Sequence, residues 1–291
     1  MSPARAFHLL VNPTSGGGSA PAAAVPVAKL LREAGARVEL TYSPGPVACA
    51  ELATASAGRG EVVVAVGGDG MLSSVAGAVV AARGVLGIVP SGRGNDFARM
   101  LGLSATAEDV ARTLLSGEVR DVDVVDAGRR VVLGSVYAGV DSLASEIVDR
   151  AHRLPTAVQY PYSAVRALLS FTATRFTVEV DAERHVEDAY SVVVANSAYY
   201  GAGMKIAPSA SVTDGLLDVV LIRAAGKLTL IRNMPKLYDG THVDLDEVLV
   251  LRGEDVRISS ANPVTAYGDG ERLAPLPVRA TVRPAGLRVL V

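Results

Sequence analysis

The chain has 291 residues with 28 basic against 30 acidic side chains, and 49% of it is hydrophobic while only 20% is charged. That balance suits a well-filled core and excludes a polyelectrolyte partner, so no nucleic acid ligand is expected. Cys49 is the only cysteine, which rules out an intrachain disulfide and a cysteine-based zinc site and fits a reducing cytoplasm. His8, His152, His185 and His242 show no metal-ligand spacing. The longest uncharged window, Ala6 to Ala28, is broken by Asn12, Pro13, Gly16, Gly17, Gly18, Pro21 and Pro26, so it predicts neither a spanning helix nor a secretory core.

At about 150 residues per domain the length suggests two domains. From the start to about residue 127, β-branched runs alternate with helix-period stretches, the pattern of βα units around a parallel sheet. The predicted strands are Phe7 to Val11, Val38 to Leu40, Val62 to Val66 and Leu86 to Val89. Between them, Val27, Leu30, Leu31 and Ala34, then Leu72, Val75, Ala76 and Val79, each mark one helical face. Val110, Ala111, Leu114 and Leu115 predict a further helix before Gly117. Near Asp126 the period falls to two, as Phe176, Val178 and Val180 alternate with Thr177 and Glu179, and Val278, Ala280 and Val282 with Arg279, Thr281 and Arg283. The second half therefore reads as antiparallel β with one helical insertion, about Ala157 to Phe171. The division falls at 1–128 and 129–291, with the last strand a candidate for return to the first domain.

Each glycine-rich turn of the first half falls at the carboxyl end of a predicted strand, where open α/β sheets place ligands. After the first strand come Asn12, Pro13, Thr14, Ser15 and Gly16 to Gly18, small residues and hydroxyls that let backbone N–H groups approach an anion. A flexible strand-to-helix loop is the plain alternative. After the third comes Gly67-Gly68-Asp69-Gly70, where glycine admits close approach of phosphate and Asp69 could hold a divalent cation or merely cap the next helix. After the fourth comes Pro90-Ser91-Gly92-Arg93-Gly94-Asn95-Asp96. Three such loops at one sheet edge imply a nucleotide site, with neither P-loop nor dinucleotide-fingerprint spacing.

These segments, with Tyr200-Gly201-Ala202-Gly203-Met204, Ala207-Pro208, Asp214-Gly215-Leu216-Leu217-Asp218 and Asp269-Gly270-Glu271, resemble in order the signatures of the diacylglycerol kinase catalytic-domain family, which includes bacterial lipid kinases and sphingosine kinases. The resemblance spans nearly the whole chain. It implies a phosphofructokinase-like α/β nucleotide-binding domain followed by a mainly antiparallel β-sandwich domain for the lipid, with ATP and Mg2+ as cofactors. It further implies that Asn12, Pro13, Thr14, Ser15, Gly16, Thr41, Gly67, Gly68, Asp69, Gly70, Met71, Leu72, Ser73 and Arg93 line the nucleotide. Glu271 takes the general-base position, Asp69 and Asp269 are the carboxylates expected to help hold the nucleotide's magnesium, and Ser211, Asp214 and Leu216 match a second magnesium position. A surface carboxylate beside a hairpin turn is the alternative for Glu271, and a metal-free turn for Asp214. Lys205 reads as a solvated loop residue near an Ile206-Ala207-Pro208 strand end. Tyr160, Tyr162, Leu168, Leu169 and Phe171 read as a lipid entrance or, by the commoner use of such spacing, as core.

The family pattern has hydroxyl, amide and carboxylate side chains where this chain has Met71, Ser73 and Ser74, and a threonine where it has Arg93. The leading expectation is an ATP-dependent kinase that phosphorylates a hydroxyl of diacylglycerol or a related lipid. The alternatives are a catalytically impaired nucleotide- or lipid-binding member of the same fold, and a kinase acting on a soluble substrate. The expected partner is lipid at the membrane surface, met peripherally and transiently, and a homodimer is left open.

Overall fold

The computed structural model describes residues 5–43, 45–128, 130–150 and 156–291. Their contacts divide into one unit of Met1–Asp123 with Pro284–Val291 and a second of Val124–Arg283.

The first unit runs β1 (Ala6–Val11), α1 (Ala20–Glu33), β2 (Arg37–Tyr42), α2 (Pro46–Gly58), β3 (Val62–Gly67), α3 (Asp69–Ala81), β4 (Val85–Pro90), α4 (Asp96–Met100) and α5 (Ala107–Ser116), then enters β5 (Val119–Asp126). Strands β2, β1, β3 and β4 are parallel in that spatial order. Every residue of β3 is buried, which is why Val62 to Val66 is continuously apolar rather than alternating. Helix α1 buries Ala20, Ala24, Val27, Ala28 and Leu31, one stripe of a 3.6-residue period, against Phe7, Leu9 and Val11. The final segment of the chain lies in this unit: Arg288 and Val289 pair in parallel with Val85 and Leu86, and Val291 exchanges backbone hydrogen bonds with Glu118.

The second unit contains β6 (Val131–Val132), β7 (Ser135–Gly139), α6 (Val140–Arg150), α7 (Thr156–Ser170), β8 (Thr174–Val180), β9 (Glu183–Ala195), β10 (Leu217–Arg223), α8 (Lys227–Asn233), α9 (Lys236–Asp239), β11 (Val248–Gly253), β12 (Asp255–Ser260), β13 (Thr265–Gly268), β14 (Glu271–Pro275) and most of β15 (Val278–Leu290). The pairings of β7 with β9 and β13, of β8 with β9 and β12, and of β10 with β9 and β11 are all antiparallel. Phe176, Val178 and Val180 point into one core with Val192, Val194, Val219 and Ile258, as their period of two requires. The opposite side chains of β7, β9, β10 and β13, namely Tyr137, Val193, Val220 and Tyr267, form a second core with Ile206, Ala207 and Ala210. Those last three lie in irregular backbone rather than at a strand end: they are apolar because they cover a sheet face.

An α/β body followed by antiparallel β is the fold class read from the sequence. The single helical insertion is two helices, α6 and α7, and α8 and α9 follow later. Helix α6 escapes a periodicity reading because Asp141, Ser142, Ser145, Glu146 and Asp149 outnumber its large apolar residues. Among the described residues, no helix is long and apolar enough to cross a membrane.

Candidate active site

In the first unit the three glycine loops pack on one another. A Cβ on Gly16 would stand 2.2 Å from the carbonyl oxygen of Ser91, and a Cβ on Gly68 2.9 Å from the Cα of Gly92. Ser15 Oγ accepts from the Gly68 N–H at 3.4 Å, Ser19 Oγ donates to the Ser91 carbonyl at 3.3 Å, and the Asp69 carboxylate accepts from the Phe97 N–H at 3.3 Å. Each of the three loops thus touches another through backbone. Gly16, Gly17 and Gly18 all have positive φ, at 60°, 72° and 94°, and so turn the chain between β1 and α1 in a conformation that side chains other than glycine seldom adopt. Asp69 sits in the first turn of α3, where a carboxylate also meets the helix dipole favourably, and Gly68 rather than Asp69 holds the N-cap position.

The residues expected to line a nucleotide divide sharply here. Asn12 Oδ1 accepts from the Thr14 N–H at 3.0 Å and its hydroxyl at 2.9 Å, an Asx turn that sets the first loop, with Pro13 and Thr14 exposed. Ser15, Gly16, Gly67, Gly68, Asp69 and Gly70 belong to the interlocked corner, and Arg93 is exposed on the third loop. Met71 and Leu72 have buried side chains: Met71 Sδ lies 3.9 Å from Cys49 Sγ, and a Cβ added at Gly67 would stand 2.7 Å from Met71 Cβ. Ser73 is half-buried on the same helix.

Thr41 is engaged with His8. His8 Nδ1 lies 2.5 Å from the Ser56 hydroxyl, which also meets the Leu52 carbonyl at 2.8 Å, and His8 Nε2 lies 2.8 Å from the Thr41 hydroxyl. Burial holds the His8 imidazolium down, against the opposing pull of Glu39 and Glu61, so the ring stays neutral.

In the second unit, Asp269 and Gly270 form the tight turn between β13 and β14, with φ of 49° and 86°, and Glu271 leaves it exposed to solvent. The Asp269 carboxylate accepts three backbone N–H groups, from Leu133 at 2.7 Å, Gly134 at 2.8 Å and Ser135 at 3.2 Å. These three bonds lock the turn onto the entry of β7, in front of Glu271. Glu271 and Asp69 lie in different units.

Ser211, Asp214 and Leu216 fall on one turn. Ser211 Oγ lies 3.2 Å from Thr213 Oγ1, Asp214 Oδ1 accepts from the Leu216 N–H at 3.1 Å, and its Oδ2 accepts from Arg252. Beside them Asp218 is buried: Oδ1 accepts from Ser209 at 2.7 Å with Arg252 Nε at 3.5 Å, while Oδ2 has no partner. Burial pushes the Asp218 carboxyl up, and Ser209 and Arg252 pull it back. The hydroxyl, carboxylate and carbonyl oxygens of this turn are donors of the kind a hard cation takes, and Arg252 is the cation that Asp214 and Asp218 meet here.

A cluster that the sequence reading missed lies at the start of α6. Asp141 accepts from Ser191 Oγ and, at 3.2 Å, from the Tyr200 hydroxyl. Tyr137 stacks on Tyr267 and meets Tyr200 edge-on, its hydroxyl 2.9 Å from Ser145, while Tyr267 donates to Glu146 at 3.0 Å. Burial raises the Asp141 carboxyl and the Tyr137 and Tyr200 phenols. The signal was available: Gly139-Val140-Asp141 ends an apolar strand and opens a helix, the arrangement that singled out Asp69. The Tyr200 to Met204 motif also gains a reason, since Tyr200 and Met204 exchange backbone hydrogen bonds at 3.0 Å across a turn whose three central residues all have positive φ. Lys205, beyond it, places its ammonium 5.9 Å from the Tyr199 ring centroid.

Residues 6–127 match the Diacylglycerol kinase catalytic domain, and residues 134–291 match the YegS C-terminal NAD kinase beta sandwich-like domain. A relative named diacylglycerol kinase from Mycobacterium tuberculosis is 32% identical over 296 residues, covering 97% of this chain and 93% of its own. Another of that name, from Bacillus subtilis, is 24% identical and covers 75% and 73%. A crystal structure of a diacylglycerol kinase from Bacillus anthracis str. Sterne shares 17% identity with a TM-score of 0.76, and a second chain from that organism 19% with 0.83; both cover 100% of this chain and 98% of their own.

Proposed function

Because the chain belongs to the diacylglycerol kinase family of lipid kinases, we propose that it transfers the γ-phosphoryl group of ATP to a hydroxyl of diacylglycerol or a related lipid. The observation that carries this reading is the interlocked corner of three glycine loops at the carboxyl edge of a parallel sheet. It presents backbone N–H groups and a helix N-terminus to an anion, and its loops brace one another, so the cradle is preorganised.

Phosphoryl transfer has a loose transition state, so positioning and neutralisation of charge contribute more than deprotonation. In the proposed reaction the P–O bond to the β-phosphate breaks, the lipid oxygen bonds to phosphorus, and its proton passes to the Glu271 carboxylate. Glu271, exposed beside a turn that Asp269 holds rigid, contributes roughly 10²- to 10⁴-fold by that proton transfer. Asp69 is proposed to help hold the magnesium of the nucleotide, which neutralises phosphate charge, and Arg93 to reach phosphate oxygens from the third loop. Ser211, Asp214 and the Leu216 carbonyl, with Asp218 behind them, are proposed to hold a second, structural magnesium.

The test is transfer from γ-labelled ATP to extracted lipids, with mass identification of the product. Glu271→Gln should retain nucleotide binding and lose at least about tenfold in turnover. Met71, buried and apolar where the family pattern has a hydroxyl, favours one second reading: a member that binds nucleotide without transfer. Nucleotide binding with no labelled lipid would establish it.

A further inference from the structure

A line of polar side chains crosses one face of the first sheet and ends at Thr41. In the register of β1 with β2, His8 lies opposite Glu39 and Leu10 opposite Thr41. The Ser43 N–H donates to the Val11 carbonyl at 2.8 Å, where the first glycine loop leaves β1. Half-buried Thr41 therefore stands at the carboxyl edge of the parallel sheet, on the strand beside that loop. Behind it, His8 is 1% exposed and has a hydroxyl at each nitrogen, Ser56 at Nδ1 and Thr41 at Nε2. Ser56, on α2, also reaches the Leu52 carbonyl, so the ring is anchored on the helix side and meets the sheet edge through Thr41.

Charged groups face the ring from each neighbouring element. From β2, Glu39 brings a carboxylate oxygen to 3.8 Å of Nε2. Glu61, ahead of β3, is paired with Arg59 at 2.7 Å and with Arg37 at 3.2 Å, and Arg59, after α2, also lies 3.7 Å from Glu39. Burial, the largest effect, keeps the ring neutral; Glu39 and Glu61 pull it toward the charged form and Arg59 pushes it back. A polyanion beyond Thr41 adds to the pull of the carboxylates.

The Thr41 hydroxyl has one proton to give. While the ring is neutral, its tautomer decides whether that proton points at Nε2 or away from it. On the imidazolium both nitrogens donate, so Thr41 Oγ1 accepts from Nε2 and its own proton turns outward, toward phosphate oxygens that can only accept. Ser56 tolerates the same change, because it can accept from Nδ1 while donating to Leu52. One proton enters the ring from solvent, and Thr41 keeps its own.

We propose that His8 is a positioning residue for the nucleotide: through Nε2 it directs the Thr41 hydroxyl, and it couples binding of the polyphosphate to uptake of one proton by the ring. This rests on the ATP reading of the sheet edge and goes beyond it, by assigning a residue that stands behind the one meeting the ligand. Binding of ATP with magnesium to the full chain is measured without lipid between about pH 7.5 and 5. A ligand that prefers the charged ring raises its pKa, so affinity grows as pH falls through the bound value and levels off below the unliganded one. The rise should be at least about threefold larger for the parent than for His8→Gln, whose amide can hold Thr41 but does not titrate. The nucleotide's own titration is common to both chains and cancels in that ratio.

At pH 7.5, His8→Leu should lose about fivefold in affinity, and His8→Gln should recover most of that loss. Thr41→Val should bind alike with and without His8→Gln at every pH. If His8→Leu does not fold, the parent and His8→Gln, both polar at this position, still decide. Equal pH profiles for those two overturn the proposal, as does a difference between them that survives in Thr41→Val. Thr41→Val binding as tightly as the parent throughout the range also overturns it, while leaving ATP binding in place. A parent chain that does not bind ATP removes the ATP reading and this proposal with it.

Discussion

Gly68 and Gly92 meet backbone to backbone: a Cβ on Gly92 would lie 2.2 Å from the Cα of Gly68, and neither chain has room to withdraw without moving its loop. A small residue at Gly68 was expected to make space for phosphate. The structure gives it a prior task, the contact between the second and third loops. Gly92→Ala should therefore destabilise the protein by about 1–3 kcal/mol in the absence of any ligand, measured by urea unfolding. A normal unliganded stability with weakened nucleotide binding alone would return the glycine to the phosphate.

Asp269 and Glu271, two residues apart, should separate cleanly by mutation. Asp269→Ala deprives the Leu133, Gly134 and Ser135 N–H groups of their acceptor, and a cost of roughly 2–4 kcal/mol is expected. Glu271→Gln, at an exposed position, should leave stability within about 0.5 kcal/mol. Equal unfolding midpoints for Asp269→Ala and the parent chain would show that the turn does not depend on its carboxylate.

The sequence was most readable where local pattern and burial coincide. Val62 to Val66 is a buried parallel strand and reads as one; Phe176, Val178 and Val180 alternate because β8 has one buried face. What stayed hidden was set by long-range partners. Nothing in the local sequence says that Thr41 meets His8, that Asp269 reaches back to Leu133, or that Met71 meets Cys49. A motif names a position, and the packing around the position decides whether its side chain or only its backbone is available.

The Asp218 Oδ2 atom, buried without a partner beside Asp214, makes a specific demand. Millimolar magnesium should raise the melting temperature of the parent chain. Asp214→Asn, which halves the local negative charge, should lose most of that increment while keeping its fold. If magnesium and a chelator give the same melting curve, the turn is held by Arg252 alone and binds no metal.

His8 sets a pH dependence whose sign follows from its burial. The unfolded chain titrates histidine near 6.5, whereas burial lowers the folded value, so on acidification the unfolded state takes up a proton that the folded state refuses. The contribution is fully present above about 6.5 and is lost as pH falls from there toward the folded value. His242, lowered by burial against the pull of the Ile206 carbonyl, acts in the same direction. Asp141 and Asp218, whose carboxyls are raised, act in the opposite direction, but they are common to the parent and to a His8 variant and cancel in the difference. Unfolding free energy measured between about pH 7.5 and 5 should therefore fall less steeply for His8→Gln than for the parent chain, whatever the variant's absolute stability. The ring itself supplies an independent check, since its NMR titration in the folded protein should have a midpoint below 6.5. A midpoint at or above that value would mean that Glu39 and Glu61 outweigh burial, and the slope would then be steeper in the variant.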